Sequence, residues 1–395
     1  MFKEVDVIFF VEHKDRELES IKLIAEKLRS EGKSSLILSV YFHVHYLYLY
    51  KAKTFVFPYL INQNDWPVSL VYKMYGDTAE YINMNWEQLI SKVNEEYKKP
   101  QDDFVKQKVK HIAWNSHFRD YLVRYGVDES NIAITGNLSN EILFNLLDKK
   151  NEWRSNLAQE FELDTNKKWL FMPMNYGWAF STNSLINAKI KKGYPEKTAW
   201  EYREYSQKCL KQFIYFIEKL SKEFDYEIII RPHPSITEDD YKKVFNETIG
   251  YIPKNIYLNK AHSIREWIVA SDVVGSSWST SVWDAYNVGK PVFLFTPYKR
   301  PEWLDVWWND EIVNLESEYS EIVLSIKNYD IKSDSVQAKI SKYICLNIFS
   351  SNKRVRIHLI NKIILKGLLC SIFKLHKCKN LMYDYFDRIL YDSKK

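Results

Sequence analysis

The sequence has few glycines and few cysteines, and both shortages exclude common kinds of functional site. Only 10 of its 395 residues are glycine, and the two closest, Gly126 and Gly136, are ten positions apart. The Rossmann dinucleotide loop, the P-loop and the Gly-x-Ser-x-Gly nucleophile elbow each need glycines within a few residues, so none of them is present. The four cysteines show no Cys-x-x-Cys spacing. This argues against a zinc knuckle or a disulfide framework and favours a reducing compartment.

The sequence also lacks a recognisable metal-binding motif, a secretion signal and a membrane-spanning segment. The sequence contains neither a His-Glu-x-x-His helix nor an Asp-x-Asp motif, the usual means of holding a catalytic divalent ion on a nucleotide sugar. The N-terminus enters a strand directly, without a basic-then-apolar signal region. No uncharged apolar run approaches the ~20 residues that span a bilayer. We therefore predict a cytoplasmic protein with no metal and no cofactor.

Charge is distributed unevenly along the chain. The net charge is +5, from 56 Lys plus Arg against 51 Asp plus Glu, but the segment from Lys353 to Lys379 carries eight basic residues and no acidic one. Apolar residues are interleaved with these charges, as in a basic amphipathic helix that lies on an anionic bilayer. The alternative is a helix packed on the body with its lysines in solvent. Nucleic acid is not predicted as a partner, because the rest of the chain is mildly acidic and contains no recognition motif.

Short apolar runs alternate with helical patterns in two successive blocks, a length suited to about two domains. This alternation predicts an α/β fold with two Rossmann-like parallel-sheet domains facing a cleft, followed by a basic helical tail. We place the domains at residues 1–165 and 166–345 and the tail at 346–395. The predicted strands are 5–11, 34–40, 54–59, 111–116 and 131–135 in the first block, and 169–174, 226–231, 255–259, 273–274 and 291–295 in the second. A long polar helix is predicted over 139–161.

Two stretches of the second block carry residues suited to binding an anion. Arg231-Pro232-His233-Pro234 follows a buried strand, where the prolines stiffen the turn that presents the guanidinium and the imidazole. The second stretch ends a strand near Gly275 and begins a helix near Ser279, with hydroxyls at Ser276, Ser277, Ser279 and Thr280. A helix start rich in hydroxyls can bind a phosphate. Asp284 lies one turn further along and can accept both hydroxyls of a ribose. A capping histidine and plain serine N-capping are the alternatives.

Further candidates come from two other loops. In the loop after strand 169–174, Gly177 allows close approach of the backbone to a ligand. Trp178 either stacks on a base or sugar or packs within the loop. A general base is expected from the first domain, where His13 and Glu17 rank ahead of Glu12 and His117 because they follow the first strand. Each of these has a structural alternative, since Glu17 also suits the first turn of a helix and His117 can cap another.

Together the two stretches resemble the C-terminal half of bacterial GT-B glycosyltransferases that build surface polysaccharides. The segment from Trp114 to Asn137 and the loop from Glu12 to Glu17 are similar to parts of the N-terminal domain of the same group. The resemblance covers roughly residues 1–330. It implies that His233, Pro234, Ser276, Ser277 and Ser279 bind the donor phosphate, as in transferases of CMP-linked acidic sugars and in CDP-glycerol polymerases. Asp284 stands where UDP- or GDP-sugar enzymes often carry a glutamate, and their paired glycines are absent here.

The resemblance implies a metal-independent glycosyltransferase with His13, Glu17, His233 and Arg231 as candidate catalytic residues. Its donor would be a nucleotide-activated sugar, with CMP-linked acidic sugars such as Kdo favoured. Its acceptor would be a growing polysaccharide or a lipid-linked glycan at the inner face of the cell membrane. The alternatives are a CDP-polyol phosphotransferase and a non-catalytic assembly subunit of the same fold. A sugar-nucleotide 2-epimerase is disfavoured, because the paired glycines and acids expected between Ser276 and Asp284 are missing.

Overall fold

The computed structural model describes residues 3–88, 90, 92–191, 193–304, 314–315, 339–340, 342–344 and 391–392. These residues form two compact units. Within the described ranges, the first unit holds residues up to 88, residues 98–139 and the short segments at 339–344 and 391–392. The second unit holds residues 90–97, 140–304 and 314–315. The described helices include none with the length and apolarity needed to cross a membrane.

The first unit is built on a seven-stranded sheet whose apolar strands are buried. Its order is β15-β3-β2-β5-β6-β7-β8, and every pairing is parallel except that of β15 with β3. A separate parallel pair joins β1 to β4. The strands are β1 (Lys3–Glu4), β2 (Val7–Val11), β3 (Ser35–Ser39), β4 (Tyr50–Lys51), β5 (Thr54–Phe57), β6 (Glu80–Asn83), β7 (Val109–Ala113), β8 (Ile132–Ile134) and β15 (Tyr391–Asp392).

Helices connect these parallel strands, as a parallel sheet requires. A π-helical turn over Lys14–Leu18 leads into the first long helix, which buries Ile21, Ile24 and Leu28. Asn115 caps α5 by accepting a hydrogen bond from the amide of Phe118 at 3.0 Å. The helices up to the second sheet are α1 (Glu19–Ser30), α2 (Val68–Tyr75), α3 (Lys92–Lys98), α4 (Asp103–Gln107), α5 (Ser116–Arg124), α6 (Leu138–Leu146) and α7 (Lys150–Phe161).

The second unit contains a six-stranded parallel sheet in the order β11-β10-β9-β12-β13-β14. Its strands are β9 (Lys168–Pro173), β10 (Tyr226–Arg231), β11 (Ile256–Leu258), β12 (Val273–Ser276), β13 (Val292–Phe295) and β14 (Asn314–Leu315). Its helices are α8 (Asn183–Lys191), α9 (Glu196–Glu223), α10 (Glu238–Ile249), α11 (Ile264–Ala270) and α12 (Thr280–Asn287). Two buried clusters, one containing residues of α9 and the other residues of α7, α11 and α12, include alternate side chains of β9 and β10. Both faces of the sheet are therefore covered.

The units divide at Ser139–Asn140, about 25 residues before the boundary predicted near 165. Helix α7, which the prediction assigns to the first domain, packs on the second sheet. Leu157 and Ala158 lie in one cluster with Trp169 and Trp267. Arg154 lies over the ring of Trp169 at 4.3 Å and donates to the carbonyl of Ala270 at 2.8 Å. The apolar face of α7 is thus buried by the second unit. Because most residues of α7 are polar, the sequence did not indicate this packing.

Two other sequence expectations differ from the structure. The polar helix predicted over 139–161 is two helices, α6 and α7, separated by a 3₁₀ turn at Leu147–Lys149. The described residues at 339–344, predicted in the second domain, belong to the first, where Tyr343 donates its hydroxyl proton to the carbonyl of Asn131 at 3.2 Å. The basic segment from Lys353 to Lys379 lies outside the described residues.

Candidate functional site

The sequence-predicted residues of the second unit gather at the carboxyl edge of its sheet. Strands β10 and β12 flank β9, and all three run in the same direction. The loops that follow them, including the His233 turn and the start of α12, therefore emerge on one edge, where open parallel sheets bind ligands. At a spacing of about 4.8 Å per strand, the ends of β10 and β12 are about 10 Å apart.

The His233 turn is fixed by its own hydrogen bonds. The amide of Ser235 donates to Nδ1 of His233 at 3.2 Å, and the Ser235 hydroxyl lies 2.7 Å from the same nitrogen. Because a backbone N–H can only donate, Nδ1 is assigned as the acceptor, and the neutral ring then carries its proton on Nε2. Lys260 holds the turn from beneath by donating to the carbonyls of Pro234 at 2.8 Å and Ile236 at 2.7 Å. The half-buried imidazole thus has one defined tautomer.

Gly177 lies directly against this imidazole. It belongs to the 3₁₀ turn Tyr176–Phe180 that follows β9. A Cβ atom at Gly177 would lie 3.3 Å from Nδ1 of His233, closer than most side-chain contacts allow. The predicted use of this glycine was approach to a donor. What the structure shows is close packing of the β9 loop on the His233 turn.

The two serines that end β12 are turned inward. Ser276 and Ser277 are both fully buried. The Ser276 hydroxyl donates to the carbonyl of Pro173, and the Ser277 hydroxyl is hydrogen-bonded to that of Tyr176. Burial raises the pKa of Tyr176 well above its usual value, so its hydroxyl stays protonated. Both serine hydroxyls are therefore committed to joining the ends of β9 and β12.

The hydroxyls at the start of α12 are more accessible. Ser279 is half-buried and caps the helix by accepting from the amide of Ser281 at 3.3 Å, while Thr280 is exposed. Asp284 lies half-buried one turn further along the helix. Burial raises the pKa of Asp284 to about 6, against the opposing influence of the nearby Arg265 charge. Ser279 and Thr280 thus lie at the start of α12 on the predicted edge, with Asp284 one turn away.

Arg231 and Trp178 are already engaged with other residues of the second unit. Arg231 donates to the carbonyl of Ala261 at 2.9 Å and to that of His262 at 3.0 Å, which fixes the loop between β11 and α11. Trp178 stacks on Tyr202 with ring centroids 4.7 Å apart, and the Lys189 ammonium lies 3.5 Å from its ring centre. These contacts support the packed-loop alternative for Trp178.

Sequence reasoning missed His262, whose carbonyl accepts from Arg231. Its backbone is left-handed, with φ of 61°. Its Nε2 lies 2.6 Å from Oε2 of Glu160 and its Nδ1 3.4 Å from Oε2 of Glu266. The available sequence signal was Ser263-x-x-Glu266, a capping box that starts α11 immediately after His262.

The candidate bases of the first unit differ in accessibility; Glu12, His13 and Glu17 follow β2, whereas His117 follows β7. Glu17 is fully buried, where its carboxylate accepts from the amide of Glu12 at 2.8 Å and from Arg16 at 3.0 Å. Burial raises the pKa of Glu17. His13 and His117 are exposed, His117 on the first turn of α5. Glu12 accepts the hydroxyl proton of Tyr41 at 2.7 Å.

The first unit also contains a cluster of three charged side chains that the sequence analysis did not identify. Glu87 forms ion pairs with Arg16 at 2.5 Å and with Lys98. Burial alone would raise the pKa of Glu87, but the charges of Lys98 and Arg16 lower it to about 2. Arg16 and Lys98 are therefore both paired with carboxylates. Within the described part of the chain, no three His, Cys, Asp or Glu side chains are grouped to hold a metal ion.

Comparison with known proteins finds no matching family model and no matching curated sequence. Solved structures do match. UDP-N-acetylglucosamine 2-epimerase from Rickettsia bellii has a TM-score of 0.55 at 13% identity, covering 89% of this chain and 97% of that chain. UDP-GlcNAc 2-epimerase from Neisseria meningitidis bound to UDP-GlcNAc has a TM-score of 0.50 at 14% identity, covering 93% and 99%. The wall teichoic acid polymerase TagF, as the H444N variant soaked with CDPG, has a TM-score of 0.50 at 14% identity, covering 89% and 84%.

At these identities the likeness concerns the fold. Each described unit carries a parallel sheet with connecting helices, as in a Rossmann-like domain. The chain therefore has the α/β fold of the GT-B type that the sequence predicts, in common with these bacterial enzymes.

Proposed function

We propose that this protein is a glycosyltransferase whose second unit binds the phosphate of a nucleotide-activated sugar. The observation that carries the proposal is the carboxyl edge of the second sheet, where the His233 turn and the start of α12 emerge from strands on either side of β9. An imidazole N–H and a helix N-terminus both donate hydrogen bonds to anions. The ends of the two strands that carry them are about 10 Å apart, a span that suits a nucleotide phosphate together with its attached groups.

His233 supplies the hydrogen bond that matters most in this proposal. In this proposal the ring donates from Nε2 to a phosphate oxygen, while Nδ1 accepts from the amide of Ser235. As the bond between the anomeric carbon and that phosphate breaks, negative charge grows on the oxygens, and a donor fixed in advance stabilises the transition state more than the ground state. Arg231 contributes positive charge and positions the adjacent loop through Ala261 and His262.

The remaining residues have separate tasks in the proposed reaction. Thr280 and Ser279 present the helix start, and Asp284 accepts the ribose hydroxyls. Gly177, Ser276 and Ser277 set the shape of the edge, since their contacts are within the protein. The acceptor hydroxyl attacks the anomeric carbon, the nucleotide leaves with the bonding electrons, and a base takes the proton. Of the candidate bases, His13 is the more accessible and Glu17 the more buried.

The donor and the setting follow the sequence resemblance. A CMP-linked acidic sugar such as Kdo is the favoured donor, and a surface polysaccharide or lipid-linked glycan is the acceptor. The reaction is proposed to need no metal, so EDTA should leave turnover unchanged, whereas inhibition reversed by Mg²⁺ would contradict it. Location in the cytoplasm at the inner membrane face is part of the same proposal, although the basic segment on which it depends lies outside the described residues.

Nucleotide binding provides the first test. Calorimetry should detect CMP binding to the wild-type protein and at least tenfold weaker binding to His233→Ala. Lys243→Ala is the matched control, because it removes an exposed cation that pairs only weakly with Glu247, 3.8 Å away on α10. Absence of CMP binding, or equal binding by His233→Ala, would favour the non-catalytic assembly subunit instead.

A CDP-polyol phosphotransferase is the second candidate. The hydrogen-bond donors that we assign to this edge bind phosphate oxygens. The same groups would stabilise the reaction if the acceptor attacked the phosphorus atom. Incubation with CMP-Kdo, CMP-sialic acid, CDP-glycerol and UDP sugars separates the two. Release of CMP with transfer of glycerol phosphate identifies the phosphotransferase, and transfer of a sugar identifies the glycosyltransferase. Formation of a 2-epimer from a UDP sugar would identify the epimerase that the sequence disfavours.

A further inference from the structure

The first unit exposes two large aromatic side chains at the carboxyl edge of its sheet. Trp66 and Tyr41 are 59% and 54% exposed. Each is nevertheless held by its polar atom. Nε1 of Trp66 donates to the carbonyl of Val40 at 3.1 Å, and the Tyr41 hydroxyl donates to Oε1 of Glu12 at 2.7 Å. The rings are therefore fixed in position while much of their surface stays in water.

The contacts of these residues connect the ends of three strands. Val40 follows β3, and its amide donates to the carbonyl of Val11 at the end of β2. Trp66 lies in the loop after β5 and reaches across to Val40. Tyr41 is thus bonded to Glu12, the residue before the exposed His13, and Trp66 is bonded to the residue before Tyr41. We name Tyr41 and Trp66 the aromatic platform.

The loop that carries Trp66 is polar and already ordered by bonds within the unit. Its sequence before the tryptophan is Asn62-Gln63-Asn64-Asp65. The amide of Gln63 donates to Asp102 at 2.6 Å, and the side chain of Asn62 donates to that of Gln101 at 3.0 Å. Side-chain amides can donate and accept hydrogen bonds and carboxylates can accept them, so both can bind the hydroxyl groups of a ligand. The residues that precede Trp66 therefore carry polar groups of the kind that bind hydroxyls.

Charge narrows the class of ligand further. Arg16 is paired with Glu17 and Glu87, and Lys98 with Glu87, so these cations do not attract an anion strongly. An aromatic face carries partial negative charge and attracts polarised C–H groups, which line one face of many pyranose rings. Ordered aromatic rings, in-plane polar groups and neutralised cations together suit an uncharged polyhydroxylated ring.

We infer that Tyr41 and Trp66 form a saccharide-binding platform on which a sugar ring of the acceptor glycan rests. This inference rests on the proposed function, because a glycosyltransferase must hold an acceptor, and it names the acceptor as an oligosaccharide bound by its ring faces. The hydroxyls of that ring would be bound by Glu12 and by the polar loop before Trp66. The residues of the platform all belong to the first unit, whereas the proposed phosphate site belongs to the second.

A glycan array probed with the full-length protein tests the inference, followed by titration of the best-binding oligosaccharide against each variant. Trp66→Ala and Tyr41→Ala should each weaken that binding at least tenfold, and Trp66→Phe should recover part of the loss. CMP binding should change by less than twofold in all three. Tyr251→Ala is the matched control, because Tyr251 is 42% exposed and likewise donates its hydroxyl to a glutamate, Glu218, at 2.6 Å.

The outcomes separate this inference from the proposed function. Glycan binding that depends on Trp66 supports the platform even if CMP fails to bind. No bound glycan on the array, or equal glycan affinity in Trp66→Ala and wild type, overturns the platform whatever happens with CMP. Sedimentation of the same variants covers the other occupant: if Trp66→Ala dissociates a dimer and leaves glycan binding intact, the platform is an interface between two copies of the chain, and the inference is wrong.

Discussion

The carboxyl edges of the two sheets differ in how their polar groups are satisfied. In the second unit, most of the bonded groups are neutral: Ser277 with Tyr176, Ser276 with a backbone carbonyl, His233 with Ser235. The charged Arg231 bonds there to two backbone carbonyls. In the first unit, charged groups pair: Arg16 with Glu17 and Glu87, and Lys98 with Glu87. In our proposals an imidazole N–H and a helix start donate to an anion at the second edge, whereas the paired charges of the first edge do not attract one strongly. These differences support our two proposals, a phosphate at the second edge and an uncharged sugar at the first.

The largest expected effect tests the neutral edge at His233. His233→Ala should lower turnover at least tenfold, which corresponds to about 1.4 kcal/mol of transition-state stabilisation. His233→Gln should recover part of the loss, because its amide N–H reaches close to the position of Nε2. Arg231→Ala should also lower turnover at least tenfold, and Arg231→Lys should not rescue it, since an ammonium cannot reproduce the two bonds to Ala261 and His262.

Steady-state kinetics of the purified variants provides the measurement, with circular dichroism to verify folding and Lys243→Ala as the control. Turnover by folded His233→Ala within twofold of wild type would remove His233 from the mechanism. In that case the contrast between the two edges would no longer identify where the donor binds.

The next effect concerns the buried hydroxyl pair beneath the neutral edge. Tyr176→Phe leaves the buried Ser277 hydroxyl without its described partner, which should lower the free energy of unfolding by about 1–3 kcal/mol. The double variant Tyr176→Phe/Ser277→Ala should be more stable than the single one, because both polar groups are then removed. Urea unfolding of the four proteins measures the coupling. Additive effects of the two substitutions would show that the hydroxyls do not stabilise one another.

Asp284 gives the neutral edge its one predicted pH dependence. Because the pKa of this carboxyl is raised to about 6 from its ordinary 3.8, the folded state disfavours its charged form, and the stability it costs grows from about pH 4 to about pH 6. Asp284→Asn should therefore gain about 1 kcal/mol relative to wild type at pH 7 and nothing at pH 3, with the shift discounted for solvent screening. Unfolding at both pH values is the measurement, and an equal difference at pH 3 and pH 7 contradicts it.

The same variant separates stability from ribose binding. Asp284→Asn should bind CMP about tenfold more weakly while its affinity for inorganic pyrophosphate stays unchanged, because pyrophosphate has no ribose. Equal losses for both ligands would place Asp284 at the phosphate, and no loss for either would make it a structural residue.

The elements predicted best from sequence are those whose residues all serve one purpose. Strand β10 is found at the predicted residues, Tyr226–Arg231, because three consecutive isoleucines are buried on both faces of the sheet. Strand β6, with Glu80 and Asn83 around two apolar residues, and helix α10 were missed. The capping box Thr237–Asp240 was the available sequence signal for α10.

For the sites, sequence spacing predicts which loops meet but not how their side chains are used. The rule that parallel strands end on one edge brought His233 and the Ser276 to Asp284 stretch together. It could not show that Ser277 bonds to a tyrosine 101 positions away, or that Gly177 packs on His233. In the first unit it placed Glu17 after β2 but could not show its complete burial, because Glu17 lies in the π-helical turn Lys14–Leu18 and not in the first turn of α1.

The smallest expected effect tests the paired charges of the first unit through Glu87. The pKa of Glu87 is lowered to about 2 from 4.5, so its charged form stabilises the folded protein above about pH 4.5, and this contribution is lost as the pH falls toward 2. The side chain is 43% exposed, and screening by solvent reduces the expected contribution to about 1 kcal/mol. Wild type should thus exceed Glu87→Gln in stability at pH 6, and the difference should shrink by pH 3. Glu201→Gln is the control, since Glu201 is 44% exposed and pairs with Lys197 one turn away, where about 0.3–0.5 kcal/mol is expected. If Glu87→Gln behaves like this control, the first edge is no more strongly paired than an ordinary helix surface, and its charges do not explain why it should prefer an uncharged ligand.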